Sequence, residues 1–386
     1  MTRPPEVAIV GGGPVGLLLA RLLVLGGARV TVFERRASPC SHSAAIGITP
    51  PSLRILRKAG LLEDFLAAGV RVRECFVHGR RGSIGTVSFR HIPDEHRFVL
   101  SLPQADTVAL LRRSLPKGVV VDGCEVTGVR QVRDGCMVST PQGERAFDWV
   151  AGCDGFRGPT RTFAGIPAQV RPYGCHFVMA DFVDRTELGD EAHLFFRPEG
   201  SVESFPLPGG LRRWVVQTAD HLSEPPSDTV VRLTRERTGF ALSEVDQSQL
   251  SPFTPHRYHC PRYREGRIVL CGDAAHGMSP IGGQGMNSGF ADAEFLARAL
   301  LDAEPAAILP AYERCRRRAV RTAMFRAEWG MALGTLRGRV GAAARDFILG
   351  GLLSRWPFAS RMGAFYAMLT IPYATLDHVS EEALRS

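Results

Sequence analysis

The sequence contains no cysteine arrangement that points to a disulfide framework or a zinc site. Its nine cysteines are scattered over 386 residues, without a Cys-x-x-Cys pair or a His/Cys cluster at zinc spacing. We therefore predict no metal site and expect reduced thiols in a cytoplasmic protein. We also expect no secretory signal, because residues 1–5 lead directly into a predicted apolar strand and a glycine turn.

Long apolar runs and one-sided charge patterns are equally scarce. No run reaches the ~18 apolar residues that a membrane-spanning helix needs. No basic stripe with interleaved aromatic residues suggests a nucleic-acid partner, although the net charge of +8 favours acidic ligands such as dinucleotide phosphates. The chain has no internal repeat and no low-complexity tract, and its length allows two or three domains.

The first motif that is present is a glycine fingerprint near the N-terminus. Gly11, Gly13 and Gly16 complete the pattern Gly-x-Gly-x-x-Gly between a predicted strand and a predicted helix. In this pattern the first glycine permits a tight turn, the second lets a pyrophosphate approach the backbone, and the third lets the helix pack on the strand. Pro14 and Val15 belong to the same predicted cofactor-binding turn.

An acidic residue closes the next predicted strand. This residue is Glu34, and Arg35 follows it as a further candidate for a cofactor contact. A carboxylate at this position reaches the ribose hydroxyls of an adenine dinucleotide and disfavours a ribose 2′-phosphate, so the motif favours FAD or NAD over NADP. A purely structural strand–turn–helix unit is the alternative.

A strand, an acid, a glycine turn and a helix also follow one another late in the chain. Residues 268–270 are a short apolar run, Gly272 and Asp273 come next, and residues 288–301 have helical spacing. This unit suits a polyhydroxylated anion, because the acid accepts from hydroxyls and the helix start offers free N–H groups. An ordinary strand–turn–helix joint is the alternative.

A second acid–glycine turn lies in the middle of the chain. Asp154 ends a predicted strand and is followed by two arginines, Arg157 and Arg161. The arginines either hold a ligand phosphate or pair with Asp154 to steady the turn. Gln104, near the start of a predicted helix, either bonds a ligand or is a solvated loop residue.

The chain between residues 171 and 254 differs from what precedes it, because successive predicted strands are separated by Pro and Gly turns. We predict an α/β fold in which a Rossmann-type dinucleotide-binding domain is interleaved with an antiparallel-sheet substrate domain and followed by a C-terminal helical region. The predicted boundaries are 1–72, 98–170 and 255–310 for the first domain, 73–97 and 171–254 for the second, and 311–386 for the third.

The C-terminal region carries a long predicted helix over residues 312–331 and an apolar, aromatic segment over residues 345–369. Docking of this segment on the main body is the simplest interpretation, and a contact with a membrane surface or a partner is the alternative. The polar face of the long helix is expected to be solvated; it carries Arg314, Arg317, Arg318 and Arg321.

Taken in order, the fingerprint with Glu34, the turn at Asp154 and the segment that begins at Gly272 resemble the motifs of single-component flavoprotein aromatic hydroxylases. This family of group A flavoprotein monooxygenases includes the para-hydroxybenzoate hydroxylase class and the ubiquinone-pathway and polyketide-tailoring monooxygenases. The resemblance covers about residues 6–330 and is strongest over residues 272–293. It is highly specific for the fold and for FAD, and much less specific for the substrate.

The resemblance implies a set of FAD contacts. The fingerprint glycines would face the pyrophosphate, Glu34 the adenosine ribose, and Asp273 the ribityl or pyrophosphate region. Pro280 and Gly285 would position the isoalloxazine ring for reaction, and no acid–base residue is assigned. The turn beside the ring, with backbone N–H groups directed at its pyrimidine oxygens, would comprise Gly283, Gly285, Met286 and Asn287.

Four other residues take a role from the same resemblance. Gln104 matches a Leu-Pro-Gln pattern of the polyketide-tailoring branch, and Val126 falls on a predicted strand near the adenine. Asp154 and Arg161 match the segment that serves both FAD and the nicotinamide cofactor in this family.

The sequence departs from the family pattern at two places. Gly158 stands where the family usually has a small hydroxyl residue, which weakens the expected nicotinamide contact. The loop over residues 38–48 lacks the usual arginine toward the flavin. His42 and Ser43 stand there instead, so we expect flavin movement or substrate handling to differ.

The resemblance implies an FAD-dependent monooxygenase that uses NAD(P)H and dioxygen to hydroxylate a phenolic, quinone-like or polyketide-type aromatic molecule through a flavin hydroperoxide. The substrate pocket would lie between the Gly272 turn and the inner face of the sheet over residues 171–218. His193, Arg213 and Trp214 are candidate pocket residues, with structural roles as the alternative.

Two other functions are compatible with the same motifs. One is a flavin reductase or oxidase of this fold that acts on a lipophilic or polyprenyl substrate. The other is a non-catalytic FAD-binding protein that sequesters a reactive intermediate, because binding and turnover use the same glycines. In each case we expect a monomer or homodimer.

Overall fold

The computed structural model describes residues 3–38, 45–248, 250–280, 283–336, 338–353 and 358–378. The strands are β1 (Glu6–Val10), β2 (Arg29–Glu34), β3 (Gly47–Ile48), β4 (Val70–Val72), β5 (Glu74–Gly79), β6 (Gly82–Ser88), β7 (Val99–Ser101), β8 (Val120–Asp122), β9 (Gly128–Val132), β10 (Gly135–Thr140), β11 (Gly143–Phe147), β12 (Trp149–Gly152), β13 (Arg171–Pro172), β14 (His176–Val183), β15 (Ala192–Phe195), β16 (Val202–Leu207), β17 (Leu211–Thr218), β18 (Ser251–Phe253), β19 (His256–His259), β20 (Arg264–Glu265), β21 (Ile268–Leu270) and β22 (His276–Gly277). The helices are α1 (Pro14–Leu25), α2 (Pro50–Lys58), α3 (Leu62–Ala68), α4 (Gln104–Arg113), α5 (Thr160–Phe163), α6 (Thr229–Thr238), α7 (Gln284–Leu300), α8 (Pro305–Gly334), α9 (Gly338–Leu353) and α10 (Phe358–Tyr366).

The first layer is a sheet with the strand order β20-β21-β12-β1-β2-β8. Its strands run parallel except for β20 at the edge. The central residues Val7, Ala8 and Ile9 are fully buried, as expected for a parallel strand covered on both faces. Because the carboxyl ends of parallel strands meet at one edge, the turns that follow β1, β2, β12 and β21 lie side by side.

The second layer is a sheet with the order β18-β14-β17-β16-β15-β5-β6. The predicted antiparallel pairing is found throughout except between β15 and β5, which run parallel. β5 and β6 form a hairpin from an earlier part of the chain, and β5 pairs with β15. One face packs under α6, and the other face looks toward the first layer.

The C-terminal helices close the space between the layers. α8 packs along α7, and α9 and α10 pack on β6. Leu349 and Leu353 are buried in a cluster with Val77 and Val87 of the second sheet, so this part of the apolar segment docks on the body of the molecule. Phe347 and Ile348 of the same segment are exposed, and residues 354–357 lie outside the described residues. Within the described part of the chain, no helix has both the length and the apolarity needed to cross a membrane.

Glycines explain where observed elements depart from the predicted ones. The sequence over residues 51–66 predicts a single helix, but the structure divides it into α2 and α3 at Gly60, which has φ of 71°. The sequence over residues 119–132 predicts a single strand, but the structure interrupts it at Gly123, with φ of 64°. Val126 therefore lies in the irregular segment between β8 and β9. These left-handed conformations favour glycine and end a regular element.

Candidate active site

One cavity of about 950 Å³ extends from the turns of the first sheet to the inner face of the second. We call its two parts the glycine end and the sheet end. The glycine end is lined by Gly11, Gly13, Pro14, Val15, Glu34, Arg35, Gln104, Val126, Asp154, Asp273, Pro280, Gly283, Gly285 and Met286. The sheet end is lined by Cys75, Val77, Met179, Leu194, Ser201, Glu203, Phe205, Arg213, Val215, Leu349, Leu353, Met362 and Tyr366.

The fingerprint glycines have different reasons for lacking a side chain. Gly11 has φ of 108°, and a Cβ atom there would lie 2.5 Å from the carbonyl oxygen of Cys153. A Cβ atom on Gly16 would lie 2.1 Å from the Gly11 oxygen. At Gly13, by contrast, a Cβ atom would meet nothing within 4 Å. Gly11 and Gly16 therefore serve close packing, whereas Gly13 leaves space beside the backbone for a ligand.

The Glu34 carboxylate is fixed against the fingerprint turn. Its Oε2 atom accepts a hydrogen bond from the Gly12 N–H at 2.8 Å, and its Oε1 atom accepts from the Arg36 N–H at 3.0 Å. Gln104 is the first residue of α4, and its Oε1 atom accepts from the Ala45 N–H at 3.2 Å. The amide thus ties the loop after Glu34 to the cavity wall.

The turn at Asp154 contains a buried acceptor that the protein leaves unpaired. The Asp154 Oδ2 atom accepts from the Thr160 N–H at 2.8 Å, while Oδ1 has no partner among the described residues. Burial raises the pKa of this carboxyl above its ordinary value. A Cβ atom on Gly158 would lie 2.0 Å from the Asp154 Cγ atom. The Asp154 side chain thus occupies the space that a side chain at residue 158 would need, which explains why glycine stands there instead of the family's usual small hydroxyl residue.

The two arginines of this turn are placed differently. Arg161 donates to the carbonyl oxygens of Ala274 and Phe156, at 3.3 and 3.2 Å, and its guanidinium lies 5.5 Å from the Tyr258 ring centroid. It therefore links the Asp154 turn to the Asp273 turn, and no hydrogen bond to Asp154 is seen. Arg157 is exposed and lines the cavity, and its side chain has no hydrogen-bond or ion-pair partner in the described ranges.

The turn after β21 presents Asp273 to the cavity. Gly272 has φ of 60°, and the Tyr258 hydroxyl donates to the Asp273 carbonyl oxygen. The Asp273 side chain is exposed because it opens into the cavity. The surrounding protein nevertheless separates it from bulk water, and this desolvation raises the pKa of its carboxyl.

A buried ionic network holds the same turn from behind. Asp292 accepts from Arg316 Nε at 2.6 Å and from the Gly272 N–H at 3.0 Å, and it lies 2.6 Å from His276 Nε2. Burial alone would raise the pKa of Asp292, but the charges and hydrogen bonds of His276 and Arg316 hold it below its ordinary value. The sequence reading missed this network. Helical spacing carried a signal, since Arg316 is four residues after the buried Tyr312 on α8.

Helix α7 begins at the cavity. It starts at Gln284 rather than at residue 288 as predicted, after Gly283 with φ of 64°. The Asn287 side chain accepts from the Thr49 N–H at 2.9 Å and donates to the Gly47 oxygen at 2.9 Å. The first N–H groups of a helix have no intrahelical acceptor. A Cβ atom on Gly285 would meet nothing within 4 Å, so this turn also leaves space for a ligand.

The three candidate substrate residues lie on different faces of the second sheet. Arg213 lines the cavity, and its Nε and Nη2 atoms donate to Asp181 at 2.6 and 2.9 Å. His193 and Trp214 lie on the opposite face of the sheet, because successive residues of a strand point to opposite sides. His193 stacks on Phe76 with ring centroids 5.0 Å apart. We therefore no longer place His193 and Trp214 among the substrate-pocket residues.

The residues at the glycine end fit FAD. Open space at Gly13 and Gly285, the unpaired Asp154 Oδ1 atom and the free N–H groups of α7 suit a ligand with phosphates, hydroxyls and a planar ring. Within the described ranges, no three His, Cys, Asp or Glu side chains are grouped to hold a metal ion. The predictions for His42 and Ser43 fall outside the described residues.

Comparison with known proteins agrees with this fit. The family model described as FAD binding domain matches residues 5–327. The 12-dehydrotetracycline 5-monooxygenase/anhydrotetracycline 6-monooxygenase of Streptomyces rimosus subsp. rimosus is 34% identical over 81% of this chain and 66% of its own length. The dialkyldecalin synthase of Streptomyces rugosporus is 31% identical over 74% of this chain and 63% of its own.

A solved structure extends the likeness to three dimensions. The anhydrotetracycline hydroxylase of Streptomyces rimosus has a TM-score of 0.76 and 27% identity, covering 96% of this chain and 77% of that one. The chain spans slightly less than two thirds of the length of the curated relatives named above. With a family match over most of its residues and a glycine end that fits FAD, the chain belongs to the FAD-binding family of flavoprotein aromatic hydroxylases.

Proposed function

We propose that the protein is an FAD-dependent monooxygenase that uses NAD(P)H and dioxygen to hydroxylate an aromatic small molecule. The observation that carries this proposal is the continuity of the cavity, whose glycine end fits a dinucleotide and whose sheet end is mainly apolar. A cofactor ring and a substrate ring can therefore meet in one chamber. The monooxygenases among its relatives support the same reaction class.

Several residues would hold FAD in this chamber. The fingerprint turn and the start of α1 would receive the pyrophosphate, and Glu34 would accept from the adenosine ribose. Asp273, which opens into the cavity, would accept from hydroxyls of the ribityl chain. Bound FAD supplies the redox chemistry, in which it takes hydride from NAD(P)H and activates dioxygen.

The chain contributes charge stabilisation and exclusion of water. The N-terminus of α7 carries a partial positive charge, which stabilises a nearby negative charge by ~0.3–1 kcal/mol, or more in a dry site. Pro280 lines the cavity and has no N–H group to leave unpaired against a ring. The apolar side chains of the sheet end keep water from the reacting atoms.

The nicotinamide cofactor needs a second, transient approach to the flavin. The chain has one glycine fingerprint, which FAD would occupy. Arg157 at the cavity lining is the better candidate for the phosphates of NAD(P)H, because Arg161 is engaged by backbone carbonyls. We infer that Arg161 acts mainly by holding two cofactor-binding turns together.

Incubation with NADPH or NADH under ¹⁸O₂ and a panel of phenols tests the proposal. A monooxygenase gives a product that carries one ¹⁸O atom, with NAD(P)H consumed. Hydrogen peroxide without labelled product in every mixture would favour an oxidase or reductase. A protein that binds FAD but consumes no NAD(P)H would favour the sequestering role or a non-redox reaction, as the name of the dialkyldecalin synthase suggests for that relative.

A further inference from the structure

One carboxyl group stands out among the residues of the sheet end. Glu203 lies on β16, where it is paired with Leu194 on one side and Val215 on the other. All three residues line the cavity, together with Met179 and Val77 on the neighbouring strands. The Glu203 side chain is half-buried because it opens into the cavity rather than to the outer surface. An acidic group is thus set into an aliphatic wall.

The described part of the protein provides no partner for this carboxyl group. In the described ranges, no side chain or backbone group donates a hydrogen bond to Glu203, and no cation forms an ion pair with it. Burial raises its pKa to about 7, with no opposing contribution. A buried polar group without a partner is destabilising. An acidic residue in this position therefore points to a ligand that completes its hydrogen bonding.

Two neighbouring acidic residues of the same sheet stabilise the fold, and the carboxylate of each accepts hydrogen bonds from the protein. Asp181 is held by two hydrogen bonds from Arg213. Glu191 accepts from the N–H groups of Arg73 and Glu74, at 2.8 and 2.7 Å. Glu203 has nothing equivalent, although it lies on the same sheet. The contrast separates Glu203 from the acids that stabilise the fold.

Among the described residues, the other titratable groups at this end carry no free positive charge. Burial, followed by the charge of Glu203, raises the pKa of the Cys75 thiol to about 12. Burial likewise raises the pKa of the Tyr366 hydroxyl, on α10, to about 12. Both groups are neutral at pH 7, and the Arg213 charge is balanced by Asp181. Within the part of the chain that the structure describes, a substrate carboxylate would therefore meet Glu203 without a compensating cation.

We propose that Glu203 determines substrate specificity by accepting a hydrogen bond from a hydroxyl group of the aromatic substrate, and that the sheet end takes neutral phenols and rejects aromatic carboxylates. This inference rests on the proposed function, since it assumes that FAD fills the glycine end. A neutral hydroxyl suits the site better than a protonated amine, because desolvating a cation in an aliphatic chamber costs more than desolvating a hydroxyl.

Binding of matched naphthalene probes to the FAD-loaded protein tests this inference. The probes are 2-naphthol, naphthalene, 2-naphthoate and 2-(aminomethyl)naphthalene, and binding is followed through the flavin absorbance. Wild-type protein should prefer 2-naphthol over naphthalene by about tenfold, and 2-naphthoate should bind most weakly. In Glu203→Leu the preference for the naphthol should fall to about twofold or less, and 2-naphthoate should bind more tightly than to wild type. The control Glu199→Gln changes an exposed acid nearby and should match wild type.

A second variant covers the case in which Glu203→Leu does not fold. As Glu203 ionises around pH 7, it becomes a stronger acceptor, so wild-type affinity for 2-naphthol should rise between pH 6 and 8 while the probe stays neutral. Glu203→Gln should lose this rise, because an amide does not titrate there.

The outcomes separate this inference from the function on which it rests. A protein that never takes up FAD would overturn the proposed function. An FAD-loaded Glu203→Leu protein with an unchanged naphthol preference, or a Glu203→Gln protein with the wild-type pH response, would overturn the role of Glu203 alone. Tighter binding of the amine than of the naphthol, lost in Glu203→Leu, would overturn the choice of neutral phenols.

Discussion

The two ends of the cavity are built in different ways. At the glycine end, the ligand-facing groups follow directly after β1, β2, β12 and β21, which are neighbours in one sheet. At the sheet end, the walls are alternate side chains of several strands together with side chains from the C-terminal helices. The glycine end therefore depends on short stretches of backbone, whereas the sheet end depends on pairings between distant parts of the chain.

The ends also differ in how their charges are compensated. Behind the glycine end, Asp292 is completely buried and is bound by His276, Arg316 and the Gly272 N–H. At the sheet end, Glu203 has no such partners among the described residues. A fixed ionic network suits a turn that must keep one geometry for a cofactor. An unpaired acid suits a wall that has to distinguish one substrate from another.

The largest effect, on the amount of product formed per NAD(P)H consumed, is expected at Gly285, where the two ends of the cavity meet. A valine there would project into space that is open in the wild-type cavity and block a planar ring. FAD should stay bound through the fingerprint, but product formed per NAD(P)H should fall about 100-fold, since small displacements at a reacting centre have effects of this size. Product and hydrogen peroxide, measured against NAD(P)H consumed, check this expectation.

Gly351→Val is the matched control for Gly285→Val. A Cβ atom at Gly351 also meets nothing within 4 Å, but the residue is exposed on α9 and does not line the cavity. It should keep wild-type coupling. If Gly285→Val also does so, the flavin ring does not lie at this turn.

The second-largest effect is a loss of FAD affinity, and it concerns the glycine end alone. Asp273→Ala removes an acceptor that opens into the cavity and would leave a cofactor hydroxyl unpaired. We expect FAD to bind more weakly by roughly 2 kcal/mol, about 30-fold in Kd. Fluorescence titration of the apoprotein with FAD measures this change. Asp190→Ala, at an exposed acid away from the cavity, should bind FAD normally; an unchanged Kd in Asp273→Ala would remove Asp273 from the cofactor site.

The glycine end could be predicted because each of its parts is local in sequence. A strand and the glycine turn that directly follows it determine their own geometry, and the sheet then brings the turns and the acid at the end of β2 together. Even here the sequence left choices open. Only the structure shows Arg161 bound to the Ala274 and Phe156 carbonyls while Arg157 stays at the lining. The loop with His42 lies outside the described residues.

The sheet end could not be predicted in the same detail. Strand alternation indicates that His193 and Leu194 face opposite sides, but which side is the cavity depends on where α6 packs. Glu203 gave no signal of its own, since a lone acid in a strand is usually solvated. Tyr366 and Leu353 reach the cavity because α9 and α10 fold back on β6, a long-range contact that no local pattern specifies.

Smaller effects, on the rate of flavin reduction and on FAD content, distinguish the roles of the two arginines at the glycine end. Arg157→Ala should slow flavin reduction at subsaturating NAD(P)H by about fivefold to tenfold with FAD content unchanged, because one charge-assisted contact is lost. Arg161→Ala should instead lower FAD content, since the link between two turns is lost. Stopped-flow reduction gives the first quantity and flavin absorbance the second.

Arg133→Ala, at an exposed arginine, is the control for both variants. If reduction is unchanged even when Arg157 and Arg161 are replaced together while FAD remains bound, neither holds the nicotinamide cofactor.

The smallest effect on turnover is expected at His193, which tests whether the two faces of the substrate sheet have separate tasks. His193 is stacked between Phe76 and His78, and its Nδ1 atom lies 3.0 Å from His78 Nε2. Burial, with the nearby charges of His78 and Arg212, lowers its pKa to about 4. In the unfolded chain this histidine binds a proton near pH 6.5, whereas in the folded protein it does so only near pH 4. The contribution of His193 to the free energy of unfolding is therefore fully present above pH 6.5 and falls as the pH drops from 6.5 to 4.

Denaturant unfolding at pH 7.5 and 5.0 measures this dependence. Between pH 7.5 and pH 5.0, the free energy of unfolding of the wild-type protein should fall by about 1–2 kcal/mol more than that of His193→Gln, whose side chain does not titrate. His91→Gln, at an exposed histidine, should keep the wild-type pH dependence. Turnover of His193→Gln at pH 7.5 should stay within about twofold of wild type, because the residue faces α6 rather than the cavity. A large loss of turnover with unchanged acid sensitivity would mean that His193 acts on the substrate after all.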